Sequence, residues 1–234
     1  MRHLSAIVII FISCGATKAA AQDIRYSLSV FGSYTTSSKI FQHPNDANEV
    51  IRNQFRIMDN IFGGGIDLRK NLPNLRIIIG LSIEYIHKAN DYKRAGLQLA
   101  AISVKEGYSA FPVELSAYYK IPIELNQVLF YIGGGGGLYF GTRHYEEAGV
   151  SSKVVSLKPS IGIHILCGIE YSLTSRLSLR GEWKFRDVQF KVTNRFPQSM
   201  VTHNGYIESI QQDPMYSRVH IDGMMLNLGT VMYF

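Results

Sequence analysis

The stretch that most constrains the fold is the last sixteen residues, Val219 to Phe234, V-H-I-D-G-M-M-L-N-L-G-T-V-M-Y-F. At a spacing of two, Met224, Leu226, Leu228, Thr230, Met232 and Phe234 share one face, and Gly223, Met225, Asn227, Gly229, Val231 and Tyr233 share the other. That is the period of a β-strand. A strand apolar on one face and small or polar on the other suits a soluble sandwich or a barrel wall in lipid. The placing of charge elsewhere in the chain decides between them.

The amino terminus has the make-up of an export signal. Met1, Arg2 and His3 form a short basic start, Leu4 to Ile12 is apolar, and Ala19-Ala20-Ala21 supplies a small-residue cleavage site before Gln22. We therefore expect a secretory signal peptide at 1–21 and a single domain at 22–234. A spanning helix would need about 20 apolar residues, and Lys18 interrupts the run. Lipidation at Cys14 would call for a Leu three residues earlier, where Phe11 stands. Cleavage removes Arg2 and Lys18 and no acid, lowering the net charge from +6 to +4. Charges of both signs are interspersed with no Lys/Arg run, which argues against a nucleic-acid partner. Only Cys167 remains after processing, so no internal disulfide can form.

Short alternating stretches recur between turn residues. We expect strands near 24–34, 62–69, 75–88, 113–121, 128–141, 160–171, 176–186 and 219–234. In the seventh, R-L-S-L-R-G-E-W-K-F-R puts Arg176, Ser178, Arg180, Glu182, Lys184 and Arg186 on one face and Leu177, Leu179, Gly181, Trp183 and Phe185 on the other. A barrel in lipid keeps charge off the outward register. Across the expected spans Asp67, Arg69, Arg76, Glu84, Glu114, Lys120, Glu170, Arg180, Glu182 and Lys184 all fall opposite the aliphatic side of their own strand, as an interior charge network would. Tyr26, Tyr85, Tyr119, Tyr131, Tyr139, Tyr171, Trp183 and Phe234 lie toward strand ends, as boundary aromatics do.

The run Gly133–Gly137 lacks the Gly-Lys-Ser/Thr ending of a phosphate loop and continues into Leu138-Tyr139-Phe140, so it reads as strand with room for bulky neighbours. His164 is expected to be a hydrogen-bonded interior histidine, and Cys167 a small hydrophobe on the apolar face. No cofactor or metal site is read from the chain.

The expected connections alternate: short near 71–74, 122–126 and 172–175, long near 35–56, 89–107, 142–157 and 188–218. The resulting fold is all-β: a single eight-stranded antiparallel transmembrane β-barrel with short periplasmic turns and long extracellular loops.

At the level of motifs, F-P-V-E-L-S-A-Y-Y-K at 111–120, Y-I-G-G-G-G-G-L-Y-F at 131–140, C-G-I-E-Y-S-L at 167–173, L-S-L-R-G-E-W at 177–183 and the terminal strand resemble the small Gram-negative outer-membrane β-barrels grouped with OmpX, OmpW and the barrel half of OmpA. The resemblance implies residence in the cell outer membrane among its lipid and lipopolysaccharide. It also implies recognition by the barrel assembly machinery, with Phe234, Met232, Leu228 and Leu226 as the assembly signal. The implied role is structural or surface-interacting, with passage of small solutes second.

Length and the fourth strand also resemble PorT-like barrels associated with secretion, which would add secretion partners through the long loops. An enzyme acting on lipid A would need His and Ser together on the lipid face. No H-x-S occurs there, and the chain is read as a non-enzyme.

If Phe234 is both anchor and assembly signal, its deletion removes about 1.5–3 kcal/mol of burial, a small part of a closed barrel's total. Purified protein lacking it should still show heat-modifiable migration after folding into synthetic bilayers, while cells making it accumulate unfolded chain. Undiminished assembly in cells would contradict the signal role.

Overall fold

The computed structural model describes residues 26–95, 101–123, 125, 127–203, 206–210 and 213–234. The expected signal peptide and the start of the first strand at Ile24 lie outside the described residues. Eight strands form the wall: β1 Tyr26–Phe41, β2 Phe55–Leu72, β3 Ile77–Ala95, β4 Ala101–Lys120, β5 Val128–Glu147, β6 in two pieces (Lys153–Lys158 and Ser160–Ser172), β7 Leu177–Arg195, and β8 in two pieces (Met215–Ile221 and Met224–Tyr233). Each pairs antiparallel with its chain neighbours, and β8 pairs with both β7 and β1, closing the sheet into a ring. At the seam Ser27 faces Tyr233 and Thr35 faces Met225. The Phe234 N–H donates to the Tyr26 carbonyl at 3.0 Å and the Tyr26 N–H to the Phe234 carbonyl at 3.3 Å, and their rings stack.

The closed ring leaves no edge, so the backbone groups of the wall are paired within it, which is what hydrocarbon demands. Side chains then alternate between lipid and lumen. On β8, Met224, Leu226, Leu228, Met232 and Phe234 point outward and are exposed, while Met225, Asn227 and Val231 are buried inside. On β7, Leu177, Leu179, Trp183 and Phe185 are outward, and Ser178, Arg180, Glu182, Lys184 and Arg186 are buried. Cys167 is exposed on the outward face, directly across from Trp183. Of the expected boundary aromatics, Tyr131 and Tyr139 are corrected: both are buried in the lumen, because each phenol reaches an interior carboxylate.

The segments expected as long loops are largely strand. β1 and β2 run on to a connection at 42–54 that holds a single helical turn, α1 (Glu49–Arg52), capped by the Asn48 side chain. β3 and β4 continue to Ala95 and Ala101. β5 ends in a tight hairpin at Ala148-Gly149, both with positive φ, followed by the short strand Val150–Ser151. That turn type takes Gly readily at its second position. Past β7 a small hairpin, Met200–His203 with Tyr206–Ser209, stands apart from the wall.

The wall reverses polarity along its height. Above Phe185 on β7 the outward residues are Asp187, Gln189, Lys191, Thr193 and Arg195, whereas Val188, Phe190 and Val192 are buried. With Ile40, Met58, Ile61, Ile86, Tyr108, Val219 and Ile221 these form an apolar core inside the upper barrel. On β7 the upper wall is therefore patterned like a soluble barrel, with apolar residues within and polar ones without, while Glu106 and Arg143 bring charge into the upper interior.

β1 and β2 change the parity of their inward residues at the same level. Thr35 and Ser38 are both buried, as are Ile61 and Met58, with Asn60 between the latter pair at φ 54. Because both strands slip together, their own register is kept.

The glycine run of β5 leaves room for its neighbours. A Cβ at Gly133 would stand 2.8 Å from the Tyr118 ring and one at Gly137 would stand 2.9 Å from Glu114 Cγ. The space is occupied by inward side chains of β4.

Candidate functional site

Two ion-pair clusters fill the lower lumen. In the first, Arg69 Nε donates to Asp67 at 2.7 Å and its Nη2 to Glu182, which also accepts from the Tyr131 hydroxyl at 2.7 Å. Arg180 donates through Nε and Nη2 to Glu170, each at 3.1 Å, and through Nη1 to Asp67 at 3.4 Å, and the Tyr233 hydroxyl donates to Glu170. The Arg69 guanidinium also lies 3.9 Å from the Tyr118 ring centre.

In the second cluster Glu114 accepts from Lys184 Nζ at 2.8 Å, from Arg186 Nε at 2.9 Å and from the Tyr139 hydroxyl. Arg186 Nη2 reaches Glu84 at 2.7 Å, and Glu84 accepts from Ser33 at 2.6 Å. His164 is buried with its Nε2 2.8 Å from Ser116 Oγ, an interior histidine as expected.

Eight of the ten expected interior charges thus lie buried in the lumen: Asp67, Arg69, Glu84, Glu114, Glu170, Arg180, Glu182 and Lys184. Arg76 does not. It sits exposed at φ 53 in the turn between β2 and β3, because the chain has left the strand before Ile77. Lys120 is only half-buried at the last residue of β4.

The sequence reading placed Arg186 on the charged face of β7 but not in the network. It missed a third cluster at the rim altogether. There Glu106, buried on β4, accepts from Arg143 Nη2, from Gln42 at 3.1 Å and from the Tyr92 hydroxyl at 3.2 Å, with Arg56 Nε 3.0 Å away. Burial and the Glu106 carboxylate push the Tyr92 phenol up, which keeps it a donor. Arg94 pairs with Glu147 beside it. The signal was present as alternating sequence, but in segments taken for loops.

The lumen is closed by these contacts. The cavity beside Asp67, Arg180 and Glu182 is about 10 Å³, room for one water at most. A larger cavity of about 420 Å³ opens at the rim, lined by Gln42, His43, Asp46, Arg143, Tyr145 and Tyr216. The apolar layer around Phe190 occupies the barrel between them. An eight-stranded interior is narrow enough for side chains to fill, and this one is filled.

Outside the rim, charge is arranged differently. Lys191 on β7 is directly opposite both Lys158 on β6 and Arg218 on β8, and Arg195 is opposite Lys153. Directly opposite residues point to the same side with Cβ atoms about 4.5–5.5 Å apart, and like charges so placed repel. Among the described residues Lys153, Lys158, Lys191 and Arg195 make no ion pair. The Arg218 guanidinium lies over the Phe41 ring at 4.3 Å. The nearby acids are engaged elsewhere, Asp222 with Lys39 and His220, and Asp187 with His220.

Glu114→Ala leaves Lys184 without its carboxylate and Arg186 with only Glu84. Breaking a buried pair in this way costs about 3–5 kcal/mol, whereas Asp187→Ala, at an exposed pair, costs about 0–1 kcal/mol. Urea unfolding in detergent micelles should separate the two, and equal midpoints would contradict the assigned burial.

No family model and no curated protein matches the sequence. Among solved structures, the outer membrane protein OprG from Pseudomonas aeruginosa is similar with a TM-score of 0.55 at 15% identity, over 89% of this chain and 95% of that one. A major outer membrane protein from Thermus thermophilus is similar with a TM-score of 0.52 at 13% identity, over 89% and 99%. Neisserial surface protein A gives 0.50 at 13%, over 89% and 97%. At these identities the likeness speaks for fold, and it agrees with the closed eight-stranded ring and its apolar belt. The chain has the fold of the small outer-membrane β-barrel proteins, the class its sequence resembles.

Proposed function

We propose that this protein is a non-conducting outer-membrane barrel whose rim faces the cell exterior and holds an anionic surface partner, the phosphate groups of lipopolysaccharide. The carrying observation is the row of cations that make no ion pair among the described residues, Lys158 and Lys191 with Lys153 and Arg195 above them, beside Arg218, whose guanidinium lies over Phe41. Like charges directly opposite one another on neighbouring strands are destabilising. An anion shared between them turns that cost into attraction.

The height of the row fits such a partner. Lys191 is six residues above Phe185 on the same face, about 20 Å along a strand and about 15 Å in height at ordinary barrel tilt. This is above the hydrocarbon and within reach of phosphorylated sugars. The filled lumen argues against solute passage as the main role. The geometry favours no secretion partner over a glycolipid.

Protein in lipopolysaccharide-free micelles should retain added lipopolysaccharide at low salt, and Lys158→Glu with Lys191→Glu should lower that retention about tenfold or more while heat-modifiable migration is unchanged. The same protein in planar bilayers should give no steady conductance above background. Unaltered retention by the double variant would overturn the assigned partner.

A further inference from the structure

Three strands bring a hydroxyl and two imidazoles together on the outward face, at the upper edge of the apolar belt. Ser109 Oγ on β4 lies 2.9 Å from His87 Nδ1 on β3 and 2.8 Å from His144 Nε2 on β5, with the Tyr85 hydroxyl at 3.3 Å. His87 is directly opposite Ser109 in the β3–β4 ladder. His144 is opposite Gly107, two residues away, which puts no side chain of its own beside the ring. Both imidazoles are exposed, and Ser109 keeps 8% of its surface.

The position of the cluster is as telling as its geometry. Just below it Tyr85, Phe111 and Phe140 point outward, and the Tyr85 and Phe111 rings are 4.8 Å apart. Aromatic side chains of this kind mark the level where hydrocarbon gives way to headgroups. The Ser109 hydroxyl therefore stands where the acyl ester linkages of leaflet lipids leave the hydrocarbon. The interior clusters use neither histidine.

We propose that Ser109 is the nucleophile, and His144 its general base, of a site that hydrolyses acyl esters of membrane lipids. A hydroxyl within hydrogen-bond reach of an imidazole is the nucleophile–base pair that such catalysis uses.

In the first half-reaction Ser109 Oγ bonds to the ester carbonyl carbon, its proton passes to His144 Nε2, and the carbonyl π electrons move onto oxygen. The His87 Nδ1–H, in the tautomer that leaves Nδ1 a donor, and the Tyr85 O–H are the donors nearest that developing charge. Collapse breaks the bond to the lipid alcohol, which departs with the proton from His144. Water then repeats the attack on the acyl-serine, and the net change is ester plus water to carboxylic acid plus alcohol.

Sequence spacing could not show this cluster. Its members are 22 and 35 residues apart and meet only through strand register.

The full mature chain, folded in detergent micelles and checked by heat-modifiable migration, tests the site with two probes. A fluorophosphonate should label Ser109 covalently, and p-nitrophenyl palmitate should be hydrolysed. Ser109→Ala should abolish both. His144→Gln should lower kcat about 10²-fold or more with KM little changed, and Gln189→Ala, elsewhere on the outward face, should change neither. Mass spectrometry of phosphatidylethanolamine or lipopolysaccharide co-folded with the protein then tells which lipid loses an acyl chain. Folded wild-type protein that is neither labelled nor hydrolytic, or a Ser109→Ala variant that retains hydrolysis, would overturn the proposal. Either result would leave the lipopolysaccharide-retention test of the cationic row unaffected.

Discussion

Closure of the sheet by its first and last strands is the constraint on which the rest of the structure depends. Lipid offers no partner to a backbone N–H or carbonyl, so the wall must satisfy itself, and β1 with β8 completes the circuit down to the paired carbonyls and amides of Tyr26 and Phe234. Once the ring is closed, alternation leaves each side chain only two destinations. The outward set is chosen by lipid. The inward set is confined to a space too narrow for a water column, so charges there must find one another.

This explains why the interior is built from carboxylates that each serve several donors. Glu114 accepts from Lys184, Arg186 and Tyr139, and Glu182 from Arg69 and Tyr131. Buried charges are tolerated when paired and hydrogen-bonded, and here the donors come from strands far apart in sequence. The clusters therefore tie opposite sides of the ring together. Above the belt the problem changes, because water now lies outside. The same alternation then carries Val188, Phe190 and Val192 inward and Lys191 and Arg195 outward, and the barrel rises past the lipid on an apolar core.

That reversal also marks how far the sequence was legible. Within the belt, alternation alone located the strands, the outward register of β8 and eight interior charges, since lipid permits only one assignment of faces. Above it, segments such as 188–195 alternate just as strictly in the opposite sense, and an expectation tuned to apolar-outward strands takes them for loops. On β1 and β2 the paired slip near Ser37 and Asn60 breaks the period itself. Arg76 was misplaced because its parity fits β3 while its backbone is already turning. Register-dependent neighbours, including Glu106 with Arg143, Lys158 with Lys191, and Ser109 with two histidines, become visible only once the strands are aligned.

The single tryptophan of the chain reports on the reversal of polarity along one face of β7. Trp183 points outward within the belt, and Gln189 points the same way six residues higher on β7. In bilayers of lipids brominated along the acyl chain, fluorescence of the wild-type protein should be strongly quenched and little affected by acrylamide. The doubly substituted Trp183→Phe, Gln189→Trp protein should show the opposite, open to acrylamide and spared by bromine. Equal quenching of both proteins by brominated chains, or a wild-type chain that folds without detergent and exposes Trp183 to water, would contradict the account.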